Sequence, residues 1–150
     1  MSQSLAKILV HLVFSTKYRE PLLRDDCRAE LHKYMAAIFK EFGSPAIRIN
    51  SVEDHVHVLF CQSKNHSLAR VVEEIKKGSS KWIKTKGLHY RGFHWQNGYG
   101  AFSVSQSNWH SVERYIANQA EHHRKITFQE EYRAFLGRYQ IPFDERYVWD

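Results

Sequence analysis

The segment from His55 to Phe60 constrains the fold most, because its polar and apolar side chains alternate as they do in a β-strand. Successive side chains of a strand point to opposite faces, so His55 and His57 share one face while Val56 and Val58 share the other. The apolar face can be buried in a core, which leaves the histidine face free. Two imidazoles on one face can reach a single metal ion, although most such pairs only form a polar face. The segment predicts a strand with a candidate metal site.

Hydrophobic patterns on either side of this strand predict the other elements of a sheet and its helices. A tight turn at Glu53-Asp54 predicts a hairpin with the preceding strand. In chain order, the predicted elements before residue 106 are a buried strand at 8–14, a helix from Asp25 or Asp26 closed by Gly43, a strand at 46–52, the histidine strand, a helix capped by Ser67, an extra strand near Phe93 and Trp95, and a strand at 101–105.

This order predicts an α+β fold of the ferredoxin-like, split βαβ type, with an antiparallel sheet and helices on one face. Two further helices follow. One is expected over 108–125, and the other begins at Thr127 with Glu130 as its capping box. We expect residues 1–150 to form a single domain, because a chain of this length can bury one core.

The composition indicates in which cellular compartment the protein works and what kind of partner it binds. Cys27 and Cys61 are too few for a disulfide framework, which fits a reducing compartment. The sequence has no signal-peptide pattern and no apolar run long enough for a membrane span, so we expect a cytoplasmic protein. The net charge of +6 favours a polyanionic partner.

Basic side chains recur at helical spacing on the helix that follows Ser67. They are either contacts for DNA phosphates or an ordinary solvated face. The candidate DNA-binding residues are Lys77, Lys81, Lys84 and Arg91.

The predicted 108–125 helix carries a second set of candidate residues. Tyr115, Gln119 and His122 are spaced i, i+4 and i+7, so they lie together on one face. His122 and His123 are otherwise expected to be exposed histidines near a helix end, and His11 either faces the site or fills the core.

Three groups of residues together resemble a known family. They are Asp54-His55-Val56-His57-Val58-Leu59, Trp95-Gln96-Asn97-Gly98-Tyr99, and Arg114-Tyr115-Ile116-Ala117-Asn118-Gln119 followed by Glu121-His122-His123. With His11 to Arg19 included, nearly the whole chain is similar to the HUH single-tyrosine transposases of small bacterial insertion sequences. The resemblance implies a nuclease that cuts and rejoins single-stranded DNA at element ends, recognising subterminal hairpins.

The resemblance also implies roles for particular residues. His55 and His57 match the metal-binding pair, Tyr115 matches the nucleophile, and Gln119 matches the third metal ligand. It further implies a homodimer with composite active sites, in which the tyrosine of one chain meets the histidines of its partner. A related branch serves dispersed palindromic repeats instead of a mobile element, and that alternative stays open.

The chemistry of these residues agrees with such a role. Two neutral imidazoles and an amide leave the full charge of a divalent ion, Mg²⁺ or Mn²⁺, available to a phosphate. Attack by Tyr115 would give a phosphotyrosine and a free 3′-hydroxyl. Because the phosphodiester energy is kept in the covalent bond, no nucleotide cofactor is expected, and the chain has no P-loop spacing.

Two other classes of function stay open. A non-catalytic module for single-stranded nucleic acid would use Trp95, Tyr99 and Phe102 as stacking platforms. A metal-dependent hydrolase that activates water would need a carboxylate base, and Asp54 is expected to point away from the histidine face.

Overall fold

The computed structural model describes residues 2–150, in which four antiparallel strands form one sheet in the order β2-β3-β1-β4. This is the predicted ferredoxin-like arrangement. The strands are β1 (Leu9–Ser15), β2 (Ala46–Ser51), β3 (His55–Cys61) and β4 (Gly100–Val104). The helices are α1 (Asp25–Glu41), α2 (Leu68–Ile83), α3 (Trp109–Ala117), α4 (Gln119–His122) and α5 (Phe128–Arg138), with short 3-10 turns at Lys17–Arg19, Lys84–Lys86 and Leu88–Tyr90.

Several element ends follow from local sequence, as predicted. The Ser67 hydroxyl accepts a hydrogen bond from the Arg70 amide and caps α2. The Thr127 hydroxyl accepts from the Glu130 amide and caps α5. Gly43 closes α1 with a φ of 61°, a left-handed conformation that glycine adopts without strain.

Alternation along the central strands gives the sheet two buried faces. Leu12, Phe14, Val56 and Val58 face α1 and α2 in the larger core. On the other face, side chains of β1, β3 and β4 pack against α3 and α5 in two smaller clusters. His55 and His57 lie on this second face, beneath the C-terminal helices.

Gly100 allows α5 to lie close to the sheet. A Cβ atom at this position would lie 2.5 Å from the Tyr132 ring of α5 and 3.1 Å from the Phe102 ring. Glu131 is the neighbour of Tyr132 in the chain, so this close approach also brings Glu131 over the strands.

Two predicted elements differ from the structure. The helix expected over 108–125 is interrupted at Asn118, which separates α3 from α4. The Asn50 side chain of β2 donates to the carbonyls of Ile116 and Ala117, at 2.9 and 3.2 Å, and so satisfies groups that a continuing helix would have bonded internally. The extra strand near Phe93 and Trp95 is reduced to one isolated bridge between Thr16 and Trp95.

Over residues 2–150, no helix is long and apolar enough to cross a membrane.

Candidate metal and tyrosine site

Strand β3 places both predicted histidines in the interior. His55 and His57 have no exposed surface, and the imidazole of His11 on neighbouring β1 lies behind His57, with 2.7 Å between His11 Nε2 and His57 Nδ1. Of the two positions expected for His11, the structure therefore shows the one facing the site, where its imidazole contacts His57. The Nε2 atom of His57 points away from the sheet toward α5, where it meets Glu131 Oε1 at 2.9 Å.

Four side chains converge above β3. The ligand atoms of His55, His57, His123 and Glu131 all lie within 4.8 Å of one another. Glu131 Oε1 is 3.5 Å from His55 Nε2 and 3.2 Å from His123 Nε2. Ligand atoms about 2.1 Å from one metal ion are themselves about 3–4 Å apart. The distances from Glu131 Oε1 to the three histidines are close to this range, so small shifts of the side chains would let the cluster hold a divalent cation. Its three nitrogens and one carboxylate oxygen also form a donor set that such ions accept.

Asp54 belongs to this site, contrary to the sequence prediction that it points away. Its Oδ1 atom lies 2.6 Å from His55 Nδ1. Asp54 precedes β3, so strand alternation does not fix its direction. A carboxylate on the second ring nitrogen orients a histidine toward a metal, and here it leaves Nε2 of His55 facing the cluster.

The pKa values of the two histidines are shifted in opposite directions. Burial lowers the pKa of His55, but hydrogen bonds with Asp54 and Glu131 outweigh that effect and raise the pKa to about 8. Burial dominates at His57 and lowers its pKa to about 4. Burial opposes the charged form of Glu131, yet hydrogen bonds from His123, His55 and His57 hold its pKa far below the usual range.

Tyr115 of α3 points into the same cluster. Its hydroxyl donates a hydrogen bond to Glu131 Oε2, and its ring packs at a tilt against His122 with 4.3 Å between the ring centroids. Burial, together with the bond to Glu131, raises the pKa of the phenol above its ordinary value, while Gln119 and Arg138 oppose the rise. The phenol is therefore held in its protonated form beside the candidate metal ligands.

Gln119 joins the cluster through His123. Its side chain is fully buried at the start of α4, and its Oε1 atom lies 3.0 Å from His123 Nε2. The side-chain amide of Gln119 also donates to the Tyr115 carbonyl at 3.4 Å, which holds Gln119 beside Tyr115.

Sequence reasoning missed His123 and Glu131. His123 was expected to be an exposed histidine, but it lies between His55 and Glu131. A signal for Glu131 was present, because this carboxylate falls between Phe128 and Phe135 on the apolar face of α5. An acidic residue on a buried helix face needs a partner, which indicates a site.

The predicted DNA-binding residues are not brought to this cluster. Lys77, Lys81, Lys84 and Arg91 are exposed, and the three lysines belong to α2 or its end, on the opposite side of the sheet from Tyr115. Two of the proposed stacking platforms are unavailable to bases, because Trp95 and Phe102 are only 6% and 2% exposed.

A tyrosine directed at a His-x-His pair on a ferredoxin-like sheet is the arrangement expected from the resemblance to HUH single-tyrosine transposases. The family model for IS200-like transposases matches residues 4–119. The chain belongs to this family, as the sequence resemblance indicated.

Individual relatives agree with this assignment. The chain is 24% identical over 114 residues to the ISDra2 transposase TnpA of Deinococcus radiodurans, covering 73% of this chain and 81% of that protein. A crystal structure of a Deinococcus radiodurans protein described as a transposase is 25% identical, with a TM-score of 0.62 over 79% of this chain and 98% of the other.

A second solved structure shares the fold. It is a REP-associated tyrosine transposase bound to a REP hairpin, 13% identical, with a TM-score of 0.59 over 84% of this chain and 76% of the other. Residues 120–150, which supply His123 and Glu131, lie outside the family match.

Proposed function

We propose that this transposase cleaves and rejoins single-stranded DNA through a covalent bond between Tyr115 and a DNA phosphate. The observation that carries the proposal is the hydrogen bond from the Tyr115 hydroxyl to Glu131, because it points the phenol at the histidine cluster. We take residues 1–150 to act as one nuclease domain.

The chain's own residues account for the movement of atoms. The Tyr115 oxygen forms a bond to phosphorus while the bond from phosphorus to the 3′ oxygen breaks. The phenolic proton leaves along the hydrogen bond to Glu131, and it is passed on to the departing 3′ oxygen, because the pKa of this carboxylate is held far below its usual range and Glu131 does not keep the proton. Because burial and Glu131 raise the pKa of the phenol, the proton must leave as the phosphate is attacked and not beforehand. Rejoining reverses these changes and needs no nucleotide cofactor.

We assign the metal site to His55, His57 and Gln119, with His123 and Glu131 beside them. A bound Mg²⁺ or Mn²⁺ would polarise the scissile phosphate and neutralise charge on it. His55 and His57 are held by Asp54 and His11, so both present Nε2 to the same point. Mn²⁺ accepts nitrogen ligands more readily than Mg²⁺, which suits a cluster that contains three imidazoles.

The proposed substrate is single-stranded DNA with subterminal hairpins at the ends of a mobile element. The hairpin-bound neighbour supports a folded DNA partner, and its REP hairpin keeps open the alternative of a nuclease for palindromic repeats. We further propose a homodimer in which α3 can dock on the histidines of its partner. The structure describes one chain, in which Tyr115 lies beside its own His57, with 5.9 Å between the ring centroids.

Covalent attachment of the protein to DNA tests the proposal. Single-stranded oligonucleotides from the DNA flanking the coding region are incubated with protein and divalent metal, and attachment is read on a denaturing gel. Tyr115→Phe should form no adduct, while its DNA affinity stays within a few-fold, because the ring still packs. Tyr34→Phe is the matched control and should react normally, since Tyr34 stacks on Trp82 on the other face of the sheet.

A metal-dependent hydrolase that activates water is the second candidate. Glu131 favours it, because it places a carboxylate beside three histidines, where the sequence predicted none. Strand cutting without an adduct, undiminished in Tyr115→Phe, would select this reaction over the tyrosine mechanism.

A further inference from the structure

A pocket of about 480 Å³ opens beside Tyr115, between the start of α3 and the end of α5. Sites for small ligands commonly enclose about 300–1,000 Å³, so the pocket is large enough for one nucleotide. His11, Tyr115 and Glu131 also line it. A group bound there would therefore lie next to the proposed nucleophile.

The α5 wall of the pocket carries an available cation. The guanidinium of Arg138 is exposed and lies over the Phe135 ring, 5.5 Å from the ring centroid. The other arginine of α5, Arg133, is paired with Glu145 at 2.7 Å. In the part of the chain that the structure describes, Arg138 has no carboxylate within ion-pair distance. An arginine in this state can bind a phosphate in a bidentate manner.

The rest of the lining suits a base and its sugar. Tyr139 is 39% exposed, and its hydroxyl donates to the Ser103 carbonyl at 3.0 Å. This hydrogen bond holds the ring in place, so a base can stack on it. On the α3 wall, Asn108 and Ser111 are exposed and can hydrogen-bond to a base edge, and Val112 adds an apolar contact.

We infer that this pocket binds the nucleotide adjoining the scissile phosphate, with Arg138 on its phosphate and Asn108 and Ser111 at its base. The inference rests on the proposed function, because it is the attack by Tyr115 that requires a nucleotide at this place. It adds a specificity site whose α5 wall lies outside the part of the chain that the family model matches.

Nucleotide titrations followed by amide NMR of the full chain test the pocket without requiring cleavage. The probes are the four deoxynucleoside monophosphates, each as the 5′ and the 3′ phosphate, in the presence of Mg²⁺. At least one should shift amides at 108–112 and 134–139 in a saturable way, and the preferred phosphate position tells which side of the scissile bond is bound. Arg138→Ala should weaken this binding by at least about tenfold, as expected for losing a charged hydrogen bond.

Arg124→Ala is the matched control, because it removes the same charge from an exposed arginine that does not line the pocket. It should bind nucleotides as the wild type does. Shifts that fall on α2 instead, that are absent, or that are unchanged in Arg138→Ala would overturn the inference. Adduct formation on oligonucleotides, measured in parallel, separates the two proposals: shifts without any adduct contradict the tyrosine mechanism alone, and adducts without shifts contradict the pocket alone.

Discussion

Tyr115 and Glu131 are joined by a hydrogen bond from the phenol to Oε2, while the other oxygen of Glu131 faces the three histidines. One carboxylate thus contacts the proposed nucleophile and the candidate metal ligands together. Tyr115 lies inside the region that the family model matches, and Glu131 lies outside it. The C-terminal helix α5 therefore contributes a side chain to the candidate site and does not only pack on the sheet.

Replacing Glu131 should weaken metal binding. Glu131→Gln keeps the size of the side chain but removes its charge, so Mn²⁺ affinity measured by calorimetry without DNA should fall by at least about tenfold. Glu130→Gln is the matched control, because Glu130 is exposed and glutamine can also serve in a capping box. Equal affinities in the two variants would remove Glu131 from the metal site.

The metal requirement should appear in the reaction itself. Excess chelator should abolish adduct formation by the wild type, and Mg²⁺ or Mn²⁺ should restore it, with Mn²⁺ restoring more at equal concentration. His57→Ala should be inactive at any metal concentration that restores the wild type. Cleavage that persists undiminished in chelator would exclude the metal from the mechanism.

Metal affinity should depend on pH through His55. A metal ligand must be deprotonated, and the pKa of His55 is raised to about 8, so binding must displace a proton below that pH. Affinity should rise about tenfold per pH unit from pH 6 toward 8 and level off above it. His57, with its pKa lowered to about 4, adds no such dependence in this range.

Asp54→Asn supplies the check on that pH dependence. Removing this carboxylate takes away one of the groups that raise the pKa of His55, so the plateau should begin at a lower pH. An affinity that does not change between pH 6 and 9 in the wild type would show that His55 is not a ligand.

The strands and helices could be predicted from the sequence because their hydrophobic patterns repeat at different intervals. The helix caps could also be predicted, because each cap depends on residues close together in the chain. Alternation at His55 to Phe60 and the cap at Ser67 each depend on a few neighbouring residues. The break at Asn118 could not be predicted in this way. It depends on Asn50, which is far away in the chain and reaches the end of α3 only after β2 has paired with β3.

Part of the candidate site follows from the sequence for the same reason. The spacing of His55 and His57 places them on one strand face, and the resemblance supplied Tyr115. Glu131 comes to them from α5 through packing, and this packing depends on Gly100, which has no side chain to obstruct Tyr132. Convergence of this kind leaves no periodic pattern in the sequence.

DNA binding should be sensitive to salt if α2 contacts phosphates. Neutralising Lys77, Lys81 and Lys84 together should reduce the slope of log affinity against log salt by roughly two, at about 0.7 per contact for single strands. These lysines lie across the sheet from Tyr115, so adduct formation at saturating DNA should be unaffected. A slope equal to that of the wild type would identify this face as solvated only.

The proposed dimer predicts complementation between two inactive variants. His57→Ala lacks a metal ligand and Tyr115→Phe lacks the nucleophile. In a trans arrangement, one site of each mixed dimer combines intact histidines from one chain with an intact tyrosine from the other. Covalent attachment should then reappear in the mixture, and only after the subunits have had time to exchange.

In a cis arrangement, both sites of a mixed dimer stay defective. In the single chain that the structure describes, the Tyr115 hydroxyl donates a hydrogen bond to Glu131 of the same chain. Movement of α3 to a partner would have to break that bond and the contacts of Asn50 with the end of the helix. Exchange can be verified with subunits that carry different tags. Verified exchange without any return of adduct would establish that each chain uses its own tyrosine and would contradict the trans dimer.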